Sequence, residues 1–153
     1  MVKKYTWYKD IKGYITTKIN NKLIKMHRLI LSNYYNIENI IVDHKDTIRY
    51  NNRKENLRLC NMTKNAYNQK INKDNTSGYT EVTLNKRENR WKARISIDNK
   101  RKTIGSCKDF YDAVKIRIEG EFMHYKEFRH KYEGRDPRII AIEKEISNKQ
   151  TVQ

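Results

Sequence analysis

Four side chains within one stretch of this chain could do chemistry together. Asp43 and His44 stand side by side, Asn56 follows twelve positions after His44, and Asn65 nine positions after that. A neutral imidazole can take a proton from water near neutral pH. A carboxylate and an amide oxygen are hard oxygen ligands that suit Mg²⁺ and accept Mn²⁺ as readily. A second amide can hold an imidazole in one tautomer. A metal ion held among such groups would polarise a phosphate oxygen and stabilise a departing 3′ oxygen. The set therefore suits cutting a phosphodiester with a single divalent cation.

The elements that must position these groups can be read around them. Ile40, Ile41 and Val42 are β-branched and favour a strand running into Asp43. Thr47 to Asn56 is almost entirely polar and reads as an exposed loop. Leu57 and Leu59 alternate with Arg58 and Cys60, a half-buried strand. Thr63 is placed to cap a helix that begins at Lys64. Asp43 and His44 would then sit at the end of one strand, with Asn65 in the first turn of the helix that folds back over it.

The stretch from Ile41 to Ile71, IVDHKDTIRYNNRKENLRLCNMTKNAYNQKI, resembles the HNH endonuclease family. It is most similar to the branch, common among homing endonucleases, in which the last His is Asn. The resemblance implies a ββα-metal fold and a role for each matching position. Asp43 would be a metal ligand, His44 the general base, Asn56 the group that orients His44, and Asn65 the second protein ligand. Relatives often carry an "HRL" segment ahead of the motif, as His27-Arg28-Leu29 does here. His27 itself reads foremost as a structural histidine. Thr47 departs from the family, where many relatives have Gly.

Composition bounds the partner. Among 153 residues, 34 Lys and Arg face 18 Asp and Glu, a formal net charge of +16. That excess predicts a polyanion, and nucleic acid is the commonest one. Apolar residues make up 37%, so small cores are expected, with 11 tyrosines supplying amphipathic bulk. Cys60 and Cys107 form no CxxC pair, which argues against a zinc-stapled variant or a disulfide framework and is consistent with a reducing compartment. With no membrane-length apolar run and no secretion signal at the start, an intracellular protein is expected.

Ahead of the motif, YTWY, GYITTKI and KLIKM read as short antiparallel strands separated by Lys12-Gly13 and Asn20-Asn21 turns. Met26 to Tyr35 reads as a helix. Arg49, Asn51, Asn52, Arg53 and Lys54 in the motif loop could hold flanking phosphates. The polar stretch from Asn72 to Ser77 reads as a linker.

The second half has a different pattern. Tyr79 to Leu84 reads as a strand. Trp91, Ala93, Ile95 and Ile97 alternate with Lys92, Arg94, Ser96 and Asp98, and Arg101 to Ser106 returns as a third strand after an Asn99-Lys100 turn. Asp109 to about Tyr132 reads as one helix ended by Gly134, leaving one sheet face to solvent or a ligand. Residues 73–108 carry ten basic and four acidic side chains, whereas 109–133 carry five and six. The positive charge lies on the sheet, and a basic one-sided sheet can enter a DNA major groove.

Residues Thr76 to Phe128, through "SGYTEV", "RWKARISI", "KTIGSC" and the helix containing Ala113, resemble the ethylene-response-factor (AP-two) DNA-binding domain, whose strands read the major groove. Several of that family's Arg and Trp positions are Thr or Ser here, so its target preference does not transfer. By position the outward residues are Thr80, Thr83, Lys86, Arg87, Arg94, Ser96, Arg101 and Thr103, with Arg94 and Arg101 the strongest candidates for contact and Trp91 a core residue.

The expectation is an α+β protein of two small modules and a tail: an HNH nuclease core preceded by a small antiparallel sheet (1–72), a three-stranded sheet packed on one helix (73–134), and a tail (135–153) whose Arg138 to Gln153 has weak helical character and reads as frayed, with no assigned function. Its expected activity is metal-dependent, site-directed cleavage of double-stranded DNA, by a monomer or a homodimer. The rivals are a DNA-binding regulator with a vestigial nuclease core and an RNA-binding module.

Overall fold

The computed structural model describes residues 2–68, 71–130, 134 and 136–151. The chain divides into two compact units, residues 1–68 and 69–153. The sequence boundary expected at 72–73 lies four residues further on. No helix among the described residues is long and apolar enough to cross a membrane.

Unit 1 begins with the expected small antiparallel sheet, in the order β1 (Tyr8–Lys9), β2 (Ile15–Ile19), β3 (Lys22–Lys25). The β2–β3 turn uses Asn20 and Asn21, both at positive φ, a conformation that short polar side chains tolerate in hairpin turns. Helix α1 (Met26–Ser32) follows directly and is shorter than the expected Met26–Tyr35. The next three elements are β4 (Ile41–His44), β5 (Leu57–Cys60) and α2 (Met62–Tyr67). β4 and β5 pair antiparallel, with Asp43 opposite Arg58 and His44 opposite Leu57. Leu31, Val42 and Leu57 form the buried apolar centre. The expected cap is corrected: Asn61, not Thr63, precedes the helix, and its side chain accepts from the Lys64 N–H at 2.8 Å. Asn61 has the extended backbone an N-cap needs, and Thr63 is already inside the first turn.

Unit 2 is a three-stranded antiparallel sheet, β6 (Val82–Asn85), β7 (Arg90–Ile97) and β8 (Lys100–Cys107), in that order. Helix α3 (Phe110–Tyr125) packs on one face. Asp109 caps it, accepting from the N–H groups of Tyr111 and Asp112. The helix ends earlier than expected, because Lys126 turns to φ +49 and a single 3₁₀ turn follows; Tyr132 lies outside the described residues. Val82, Ala93, Ala113, Val114 and Ile118 are buried between sheet and helix. Two glycines allow the close approach. A Cβ on Gly105 would fall 2.8 Å from Ile116, and one on Gly120 would fall 2.7 Å from Ile104. Ile104 is the extra residue where the β7–β8 register shifts, and the bulge keeps both flanking segments in alternation.

The expected tail is corrected as well. Pro137–Thr151 forms a fourth helix, α4, whose Ile139 and Ile146 are buried in the same core. These two residues stand seven apart, so they lie on one helical face.

Candidate functional site

In unit 1, the turn out of β4 gathers the polar groups. The Asp43 carboxylate lies across the ladder from Arg58, and its Oδ2 accepts from Arg58 Nε at 2.9 Å and Nη2 at 2.8 Å. Asn68 Nδ2 donates to the same oxygen at 3.0 Å and to the His44 carbonyl at 2.9 Å. The other oxygen, Oδ1, accepts no hydrogen bond from the described residues. Asn68 was not among the expected site residues. Its signal is the spacing: it lies three positions after Asn65, on the same side of a helical turn.

His44 is buried, with only 4% of its surface exposed. Its Nε2 is 3.1 Å from Asn52 Oδ1. The Asn52 amide nitrogen donates to the Tyr50 carbonyl, which fixes the amide with its oxygen toward the imidazole. An amide oxygen only accepts, so the ring nitrogen that faces it, Nε2, is assigned as the donor.

The imidazole's hydrogen-bond partner is therefore Asn52, whereas the role expected of Asn56 was to orient His44. The Asn56 Nδ2 donates to Asp46 Oδ1 at 2.9 Å and to the Asn51 carbonyl at 2.8 Å, and its Oδ1 accepts from the Asp46 N–H at 3.2 Å. Asn56 thus closes the motif loop on itself. Burial pushes the Asp46 carboxyl up, but donation from Asn51, Ile48 and Asn56 outweighs it and holds the group below the usual carboxylate range. Thr47, the departure from the family pattern, sits at φ +60 with its hydroxyl buried and unpartnered. A β-branched residue is strained there, and Gly would not be.

Asn65 occupies the first turn of α2, half-buried, and its side chain makes no hydrogen bond to the described residues. Helix α2 packs on β4 and β5. Arg49 of the loop donates to the Lys12 carbonyl, and Lys54 lies over the Tyr34 ring.

His27 packs behind His44. The two rings meet edge to face with centroids 4.9 Å apart, and Tyr14 lies against both, at 5.4 Å from His27 and 6.3 Å from His44. His27 is 3% exposed, and its Nδ1 has no partner. Burial, with His44, Lys25 and Arg28 nearby, pushes it down to about 3. It is a neutral ring at neutral pH.

In unit 2 the strand register tests the outward set. Thr83 pairs with Lys92, Arg94 with Thr103, and Ser96 with Arg101, so Thr83, Arg94, Ser96, Arg101 and Thr103 share the face away from α3. Lys86 and Arg87 are exposed at the β6–β7 turn. Thr80 precedes β6 and is not on the strands. Lys92 and Ser106 belong to the same face. Arg101 is held by Glu81, and Lys92 by Glu88. The half-buried Arg94 side chain makes no hydrogen bond or ion pair with a described residue, although the Arg94 N–H donates to the Glu81 carbonyl. Trp91 packs on Phe110 at 4.8 Å and is a core residue.

Residues 25–67 match the family model described as HNH endonuclease. The match begins just before α1 and ends with α2, so it takes in Asp43, His44, Asn56 and Asn65 and stops short of unit 2. Comparison with curated proteins and with solved structures returns no match.

Proposed function

We propose that the chain is a metal-dependent, site-directed DNA endonuclease of the homing type. In this reading unit 1 cuts, and unit 2 holds the duplex. The observation that carries the reading is the coincidence of the HNH match with the β4–β5–α2 segment that bears Asp43, His44, Asn56 and Asn65.

HNH nucleases use a divalent metal, and the donors here fit one. Asp43 Oδ1 and the Asn65 amide accept no hydrogen bond from the described residues. No group of three or more His, Cys, Asp or Glu among the described residues offers an alternative metal site. Asp43 and Asn65 would hold Mg²⁺ or Mn²⁺, with water and phosphate oxygens completing the shell. When bound, the ion would polarise the phosphate and stabilise the departing 3′ oxygen.

The chain's own residues do the remainder. His44 takes a proton from water at Nδ1, because Asn52 holds Nε2–H. The resulting hydroxide attacks phosphorus in line, the P–O3′ bond breaks, and the departing oxygen takes a proton from solvent, giving a 5′ phosphate and a 3′ hydroxyl. Asn68 fixes the carboxylate and the His44 carbonyl in one relation. Asn56 keeps the loop closed beneath them. Edge-to-face packing on neutral His27 sets the plane of the His44 ring.

In this reading unit 2, a three-stranded sheet packed on α3, is the module that holds the duplex. Its outward face would lie in the major groove, with Arg94 free to reach a base edge and Lys86, Arg87 and Arg101 placed for phosphates. Thr83, Ser96 and Thr103 add hydroxyls to that face, and Thr80 borders it.

The test is cleavage of a duplex DNA library with Mg²⁺ or Mn²⁺, wild type beside His44→Ala, with binding followed on the same samples. The expected result is that wild type cuts and the variant binds without cutting. If both bind and neither cuts, a DNA-binding regulator with a vestigial core replaces this reading. Equal cutting by both would remove His44 from the chemistry.

A further inference from the structure

We propose that the β1–β2 turn is a second DNA contact, which drives Ile11 as a wedge between base pairs in the minor groove beside the cleaved phosphate. The location beside the cut rests on the nuclease reading; the contact itself does not.

Ile11 is fully exposed, at 103%. A lone exposed apolar side chain is ordinary. Here three further observations accompany it. First, the turn is stiff. The Asp10 N–H donates to the Tyr14 carbonyl at 2.8 Å, the Gly13 N–H to the Asp10 carbonyl at 2.9 Å, and the Tyr14 N–H to Asp10 Oδ1 at 2.9 Å. Gly13, at φ +86, supplies the conformation that closes it. The isoleucine is therefore presented on a fixed support, and little freedom is lost on contact.

Second, the turn is fastened to the catalytic loop. Arg49, five residues after His44, donates to the Lys12 carbonyl at 2.8 Å, and its guanidinium lies 5.1 Å over the Tyr14 ring. Lys9 lies 4.9 Å over the Tyr50 ring of the same loop. Tyr14, three residues from Ile11, packs 6.3 Å from His44. A three-residue segment spans at most ~10 Å, which places the tip within about 20 Å of the imidazole, or roughly six steps along a strand.

Third, the surroundings are cationic. Lys9 and Lys12 flank the tip, Arg49 lies beneath it, and residues 2–68 carry 14 basic against five acidic side chains. The one acid at the turn, Asp10, is bonded inward to Tyr14. An apolar point ringed by cations matches stacked bases between two phosphate strands, the arrangement in which side-chain wedges unstack a step. Opening a step would also loosen the backbone next to His44.

The test uses duplexes retained by wild-type protein from a random pool, with 2-aminopurine placed at one position at a time. His44→Ala keeps the DNA intact during the measurement. The expected result is a rise in fluorescence at one or two adjacent positions, abolished in His44→Ala/Ile11→Ala with a several-fold loss of affinity, and restored by Ile11→Leu. Ile11 buries nothing, so the alanine variant folds. Equal unstacking by the alanine variant, or bound DNA with no bright position, overturns the proposal. Protein with His44 intact that unstacks but never cuts retains the contact and sinks the nuclease reading instead; one that cuts with no unstacking sinks the wedge.

Discussion

Replacing His27 by Phe removes one titration from unit 1 and keeps a ring of similar size. In the folded protein the His27 imidazole is held down to about 3 from an ordinary 6.5, chiefly by burial. The unfolded chain therefore binds a proton at this position as the pH falls below 6.5, and the native chain does not until near 3. Between those values the unfolded state carries more protons, so stability falls with falling pH. The contribution is complete above 6.5 and erodes at about 1.4 kcal/mol per pH unit below it. At about pH 4.5 the accumulated loss is roughly 2.7 kcal/mol. Carboxylates titrate in both proteins, so the difference between them reports His27 together with its coupling to His44. The chain has two tryptophans, Trp7 and Trp91; in a Trp91→Phe background, Trp7 fluorescence during urea unfolding reports unit 1. The stability gap between His27→Phe and its parent is expected to shift by ~2.7 kcal/mol in favour of Phe between about pH 7.5 and 4.5. Parallel pH profiles would falsify the buried neutral ring, and with it the account of what sets the plane of His44.

Further outcomes follow from the same contacts. Thr47→Gly relieves a β-branched residue at φ +60 with a buried unpartnered hydroxyl; it is expected to stabilise unit 1 by about 1 kcal/mol in the Trp7 assay, and a loss would show the backbone there to be unstrained. Asn56→Ala removes three hydrogen bonds within the loop and should cost about 3 kcal/mol of stability, whereas Asn52→Ala should lower cleavage about tenfold to a hundredfold with DNA binding intact; the reverse pattern would return the imidazole to Asn56. Gly105→Ala drives a methyl to within 2.8 Å of Ile116, and a loss of about 1–3 kcal/mol is expected in unit 2 by thermal unfolding followed at Trp91 in a Trp7→Phe background. An unchanged melt would mean that the sheet and helix separate freely.

Much of unit 1 was legible because its chemistry is local. β-branched Ile41 and Val42 lead straight into Asp43-His44, and Leu57 and Leu59 mark the returning strand. The second-layer partners were not legible. Asn51, Asn52 and Asn56 all stand in one polar loop, and only the folded path of that loop decides which amide reaches the imidazole. The cap was misplaced for a related reason: Asn61 and Thr63 both have capping side chains, and the backbone angle that separates them is a property of the fold. In unit 2 the alternation from Trp91 to Asp98 gave the face correctly, because one sheet face is buried and register is then strongly specified. Helix α4 showed only weak helical character and read as a frayed tail, because its charges are balanced and its apolar stripe is thin. Ile139 and Ile146 gain their burial from α3, a partner that no local pattern reveals. Lys126 ended α3 early at a positive φ that nothing in its side chain requires.

On the nuclease reading, the pairing of Asp43 with Arg58 would also govern how the proposed cation site exchanges with its surroundings. Because Arg58 and Asn68 already neutralise and anchor the carboxylate, unit 1 needs no cation to complete its shape. On that reading, filling the proposed site and folding the protein would be separate events, unlike small domains whose folding energy comes from their metal. A chelator is expected to abolish cleavage and leave thermal unfolding unchanged, and readdition of the ion to restore activity at once. The guanidinium that anchors the carboxylate also repels an arriving cation, so occupancy would be loose and set by the ambient ion concentration. On this view the protein is rested or armed by its ionic surroundings, without any change in its fold.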